Sequence, residues 1–95
     1  MITHIVLFKL VEQSKENLER TKGVLAGMEG KIPQLKYLEV GIDVIRSERS
    51  YDIALVTKFD SLGDLQAYQN HPVHLEVAKY IASVRESAVS VDFEA

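Results

Sequence analysis

Apolar side chains recur at two different periods along this 95-residue chain, and the order in which the periods alternate limits what it can fold into. Thr3 to Leu10 is almost entirely apolar or β-branched and too short for a helix, which predicts a strand. From Leu35 to Ile45 the residues alternate, with Leu38, Val40, Ile42 and Val44 on one side and Tyr37, Glu39, Gly41 and Asp43 on the other. That period of two predicts a second strand. A polar turn, Arg46-Ser47-Glu48-Arg49-Ser50, which reads as a solvated surface segment, leads to a third strand over Tyr51 to Phe59. Val89, Val91 and Phe93 alternate with Ser90 and Asp92 in a fourth.

Helical spacing fills the intervals. Ser14 is a candidate N-cap with Glu16 in the first turn, and Leu18, Thr21, Leu25 and Met28 follow one another at helical intervals up to Gly30 and Pro33. Asp60-Ser61 offers a second cap, with Asp64 three residues after Ser61, for a short helix carrying Leu62, Leu65 and Tyr68 that ends near Asn70. Pro72 disfavours helical geometry at His71 but suits the first turn of a new helix running through Leu75, Ala78 and Ile81 to about Val84.

Strand, helix, strand, strand, helix, strand is the βαββαβ order of an α+β, ferredoxin-like fold: a four-stranded antiparallel sheet with its helices on one face. The face under the helices is expected to carry Val6, Phe8 and Leu10, with Leu38, Val40, Ile42, Ile53, Leu55, Val89, Val91 and Phe93. His4 shares the parity of Val6 and Phe8 and is placed with them. The opposite face mixes Ile5, Leu7, Tyr37, Ala54 and Val56 with Lys9, Glu39, Asp43, Asp52 and Lys58. An apolar patch on an open sheet calls for a partner, and two-fold pairing of two identical sheets into a dimeric α/β barrel is the expected solution.

A chain of this length folds as one domain, spanning residues 1–95, with a single modest core. It has no cysteine, which excludes disulfides, thiolate nucleophiles and Cys-based zinc sites. With no basic leader at Met1-Ile2-Thr3 and no apolar run of the roughly 18 residues a span requires, neither secretion nor a membrane partner is expected, and a cytoplasmic location is. A net charge of −3, with Lys and Arg scattered among the acidic residues, lacks the basic stripe of a nucleic-acid binder. Gly23, Gly27 and Gly30 form neither a phosphate loop nor a dinucleotide fingerprint, so no cofactor is expected.

Of three histidines, two lie in the run Tyr68-Gln69-Asn70-His71-Pro72-Val73-His74. Tyr68 near the end of one helix and His74 in the first turn of the next can both point at the sheet where His4 stands. An imidazole with a pKa near about 6.5 takes a proton at cellular pH, and a phenol with a pKa near about 10 donates to a developing oxyanion. His74, Tyr68 and His4 are therefore candidate catalytic residues for proton abstraction beside a carbonyl. Val6, Phe8, Leu25, Leu38 and Leu55 are candidate walls for an apolar ligand with a carbonyl or phenolic group, and His71 is a further candidate binding residue. Each histidine also has a plain structural reading. His71 in particular can cap the backbone between two helices. The His71/His74 spacing would also suit two metal ligands with His4 as a third, but no carboxylate accompanies them and no metal site is expected.

His4 opening the strand His-Ile-Val-Leu-Phe-Lys, the strand Tyr51-Asp52-Ile53-Ala54-Leu55-Val56, and Tyr68-x-x-His71-Pro72-x-His74 together resemble the stress-responsive α/β-barrel, or Dabb, family over essentially the whole chain. The resemblance implies a ferredoxin-like fold, a dimeric barrel and a pocket between sheet and helices. Members include stress-associated plant proteins and a plant polyketide cyclase that closes a ring by aldol chemistry without a cofactor. By similarity to that cyclase, His74 is the general base, Tyr68 holds the substrate oxygen and His4 orients or polarises. The first helix offers Thr21, Leu25 and Met28 where a long polyketide tail would need an aromatic tunnel. A non-enzymatic stress or assembly protein and a cofactor-free monooxygenase of the dimeric-barrel type are the other classes the resemblance implies.

Overall fold

The computed structural model describes residues 1–94, leaving only the last residue of the expected 1–95 domain outside them. The elements run β1 (Ile2–Leu10), α1 (Lys15–Ala26), β2 (Tyr37–Ile42), β3 (Ile53–Phe59), α2 (Leu62–Asn70), α3 (Pro72–Val84) and β4 (Arg85–Glu94). The strands form one antiparallel sheet in the order β2-β3-β1-β4, the ferredoxin-like arrangement expected from the sequence. β1 is central and pairs with β3 and β4 along most of its length. Its even-numbered residues Phe8 and Leu10 are buried together with Ile53, Leu55 and Phe59 of β3, Leu18 and Leu25 of α1, Tyr68 of α2 and Ile81 of α3.

The helix signals work locally as their chemistry requires. Ser14 Oγ accepts the Asn17 N–H at 3.2 Å and Ser61 Oγ accepts the Asp64 N–H at 3.1 Å, each satisfying a donor that the first turn leaves without a helical partner. α1 stops earlier than its periodicity suggests. Gly27 forms its C-cap, donating to the Gly23 carbonyl at 3.0 Å, and residues 27–31 turn, with Gly30 in the left-handed region at φ 79°.

The second strand is also shorter than expected. It ends at Ile42, and Val44 and Ile45 stand exposed in the turn. Asp43 explains the ending: its carboxylate accepts the Arg46 N–H at 2.6 Å, folding the chain back through Arg46 at φ 59°. Arg46 is accordingly not a plain solvated charge, because its guanidinium reaches Asp52 at 3.0 Å. Asp52, expected on the open face, is 1% exposed, and its other oxygen accepts the Leu10 N–H at 2.7 Å. One carboxylate thus ties the end of β1 to the start of β3 and to the β2–β3 turn.

The largest correction concerns β4. Direct pairing places Asp92 opposite His4, Ser90 opposite Val6 and Ala88 opposite Phe8, so those residues share the helix side. Val89, Val91 and Phe93 pair with Leu7, Ile5 and Thr3 and lie on the open face, about half exposed, instead of beneath the helices. A sheet that is apolar on both sides gives an isolated strand no hydrophobic cue to its orientation; pairing with β1 decides it.

Replacing Asp52 by Ala should destabilise the fold by about 2–4 kcal/mol in urea unfolding, since it leaves the buried Leu10 N–H without an acceptor. Removing the Arg46 side chain leaves the buried Asp52 carboxylate without its counter-charge but with the Leu10 N–H, and because Arg46 itself is partly exposed and water can partly replace it the cost should be smaller, about 1–2 kcal/mol. Equal losses for the two variants would contradict this assignment.

Candidate active site

A cavity of about 230 Å³ lies between the helix face of the sheet and α1, α2 and α3. Its floor is Val6 and Phe8 of β1 and Leu55 of β3; Leu25 and Met28 close it from the α1 side, and Val77, Ala78 and Ile81 of α3 from above. All three expected catalytic side chains, His4, Tyr68 and His74, line it. Of the expected apolar wall, Val6, Phe8, Leu25 and Leu55 contribute, whereas Leu38 packs against the core without reaching the cavity.

Tyr68 is the hub. Its ring is fully buried, 4.6 Å from the His74 ring, 4.8 Å from Phe59 and 6.4 Å from His4, which it meets edge-on at 70°. The hydroxyl donates to Met28 Sδ at 3.9 Å, a weak acceptor for a buried phenol. Burial pushes its pKa up to about 12, so the group stays protonated and remains a donor throughout the physiological range.

His74 is half-buried, and its Nδ1 is buried with no hydrogen-bond partner. Desolvation lowers its pKa; the Gln69 backbone opposes that by favouring the imidazolium, and the neighbouring His4 lowers it further. The balance keeps the ring neutral, the state in which it can accept a proton. His4 is held differently. Its Nδ1 is hydrogen-bonded to the Asp92 carboxylate, and its own carbonyl accepts from Thr57 Oγ1 at 3.2 Å. With Nδ1–H donating to Asp92, Nε2 is the ring nitrogen left for a ligand. No sequence motif marks Asp92; the signal that finds it is the cross-strand register from His4, which needs the pairing of β4 with β1.

His71 does not line the cavity. It is both the C-cap of α2 and the N-cap of α3, where its Nδ1 accepts the Val73 N–H at 3.1 Å and its N–H reaches the Tyr68 carbonyl at 3.1 Å. Its imidazole shapes the junction that presents Tyr68 and His74. Arg85, absent from the expected site, lines the far end of the cavity.

The stress responsive A/B barrel domain, Dabb, matches residues 2–95 of the chain. The chain belongs to the Dabb family. Among solved structures, this Dabb protein is similar to a dimeric protein of unknown function and ferredoxin-like fold from Bacteroides fragilis, at 32% identity and TM-score 0.85, covering 99% of this chain and 95% of that one. A dimeric ferredoxin-like protein of unknown function from Thermobifida fusca is 30% identical with TM-score 0.87, over 99% and 90% of the two chains. A hydroxynitrile lyase from Passiflora edulis shares the fold at 21% identity and TM-score 0.83, over 97% and 90%. No curated protein matches the sequence significantly. No helix among the described residues is long and apolar enough to cross a membrane.

The lowered pKa of His74 carries a stability consequence. Below about pH 6.5 the unfolded chain protonates this residue before the folded one does, so the unfolded state gains protons and stability falls with pH. Urea unfolding between about pH 7.5 and 5 should therefore destabilise the Dabb protein more steeply than its His74→Gln variant, which lacks this linkage. Parallel curves for the two would rule it out.

Proposed function

We propose that this Dabb protein is a homodimer that binds a small, largely apolar carbonyl compound between sheet and helices and catalyses proton transfer beside the carbonyl without a cofactor. The observation that carries this reading is the pair of uncommitted polar groups in one apolar cavity: His74 Nδ1 has no partner and Tyr68 Oη has only a thioether, with the rings 4.6 Å apart. Buried polar groups are ordinarily satisfied, and two that are not, side by side in a cavity, are suited to a ligand that satisfies both. His74 is the general base, taking a proton from the carbon next to the carbonyl. Tyr68 donates to the oxygen on which negative charge develops, and its raised pKa keeps it from giving up its own proton. His4, oriented by Asp92, offers Nε2 to polarise or position the same ligand.

Dimerisation follows from the open face. Ile5 and Leu7 of β1 with Val89, Val91 and Phe93 of β4 make an apolar surface on the side away from the helices, and relatives of 30–32% identity are described as dimeric. Pairing of two such faces would close a barrel and bury this surface.

In D2O, wild-type protein should catalyse hydrogen–deuterium exchange at the carbon beside the carbonyl of small ketones, followed by NMR. His74→Ala should abolish it, and Tyr68→Phe should slow it by about 100-fold, the usual scale for loss of one oxyanion donor. Unchanged exchange in His74→Ala would remove the histidine from the chemistry, and oxygen uptake on phenols in place of exchange would point to monooxygenase activity. Sedimentation should give twice the mass of one chain, and Val91→Glu should shift it to a monomer; a wild-type monomer at micromolar concentration would overturn the pairing.

A further inference from the structure

The far end of the cavity carries a group with no part in the proton-transfer chemistry. Arg85 lines the cavity together with His74, and it is the one permanently charged side chain to do so. It is exposed, and among the described residues it makes no salt bridge.

Two independent rulers place it. On the sheet, Arg85 pairs with Leu10, six residues along β1 from His4, which at about 3.3 Å per residue separates the two backbone positions by roughly 20 Å. Along α3, His74 and Val84, the residue just before Arg85, are ten residues apart, or roughly 15 Å at 1.5 Å per residue. Between them Ala78 and Ala82 line the same cavity with side chains too small to fill it, while Phe8 and Ile81 supply apolar wall. The cavity therefore has a polar end at His4, Tyr68 and His74, an apolar middle and a cationic end.

We infer that the ligand of this protein is an elongated oxo acid, with its carbonyl at Tyr68 and His74, an apolar spacer along Ala78 and Ala82, and a carboxylate at the Arg85 guanidinium. The inference rests on the carbonyl reading of the site and adds the second polar end. Guanidinium suits a carboxylate because its planar donors match the two oxygens, and a cation at the cavity mouth is positioned to select anions in a protein whose net charge is −3.

Calorimetric titration of wild-type protein with 7-oxooctanoate and with its methyl ester tests this. The acid should bind about tenfold more tightly than the ester, as expected for one charge-assisted contact at a solvent-exposed end. Arg85→Gln should erase that preference by weakening the acid and leaving the ester unchanged, and Arg85→Lys should retain part of it. Equal binding of acid and ester by the wild type, or an equal loss of both in Arg85→Gln, would overturn the oxo-acid assignment while leaving the carbonyl reading intact. If neither probe binds wild-type protein, the oxo-acid assignment falls, and the carbonyl reading falls with it if ketone exchange is also absent.

Discussion

β1 is hydrogen-bonded along both of its edges, to β3 on one side and β4 on the other, and its two-residue alternation decides what can enter the cavity. His4, Val6 and Phe8 face the helices because each is separated from the next by one residue that must face away. The same rule carries across the ladder, so Leu55 and Asp92 are admitted to the helix side by pairing with Val6 and His4. A one-residue slip of β4 would withdraw the carboxylate from His4 and put Val91 or Phe93 in its place. Asp52 guards against disorder at the other end of β1 by taking the Leu10 N–H and holding the β2–β3 turn through Arg46.

What this scaffold presents is a contrast in how polar groups are treated. His4 and His71 are each committed, one to a carboxylate and one to a backbone N–H. Tyr68 and His74 are not, although Tyr68 is the most deeply buried polar side chain of the group. Low polarity around them has opposite effects on proton affinity: it holds the phenol's proton on and keeps the imidazole's proton off. A donor and an acceptor are thereby fixed in complementary states by the same apolar surroundings, without an added charge.

Much of this was legible from residue order alone. Parity along β1 was enough to bring His4 to the pocket, and proline geometry was enough to separate His71 from His74, since a residue before proline leaves the helix and can cap the next one. The strand ends were not legible at Val44 and Ile45, where an apolar alternation continues past a turn set by the Asp43 carboxylate. The orientation of β4 is hidden for a deeper reason. Its apolar residues serve the open face while Ser90 and Asp92 turn to the helix side, the reverse of the usual expectation, and only the register with β1 reveals it. Asp92 is hidden in the sequence for the same reason, and Arg85 because a charged residue at a helix–strand junction looks like ordinary surface.

The double cap at His71 has a consequence for how the site comes into being. Tyr68 lies three residues before it and His74 three residues after it, so the spacing of phenol and imidazole is written into one short segment of chain. Helix ends and the turn between them form from local contacts, without waiting for distant strands to find one another. His4, by contrast, must be delivered from the opposite end of the chain by the sheet. The donor and the base are thus inherited together as a single cassette, and an insertion of one residue between Tyr68 and His74 would separate them even in a molecule whose sheet and core remained whole.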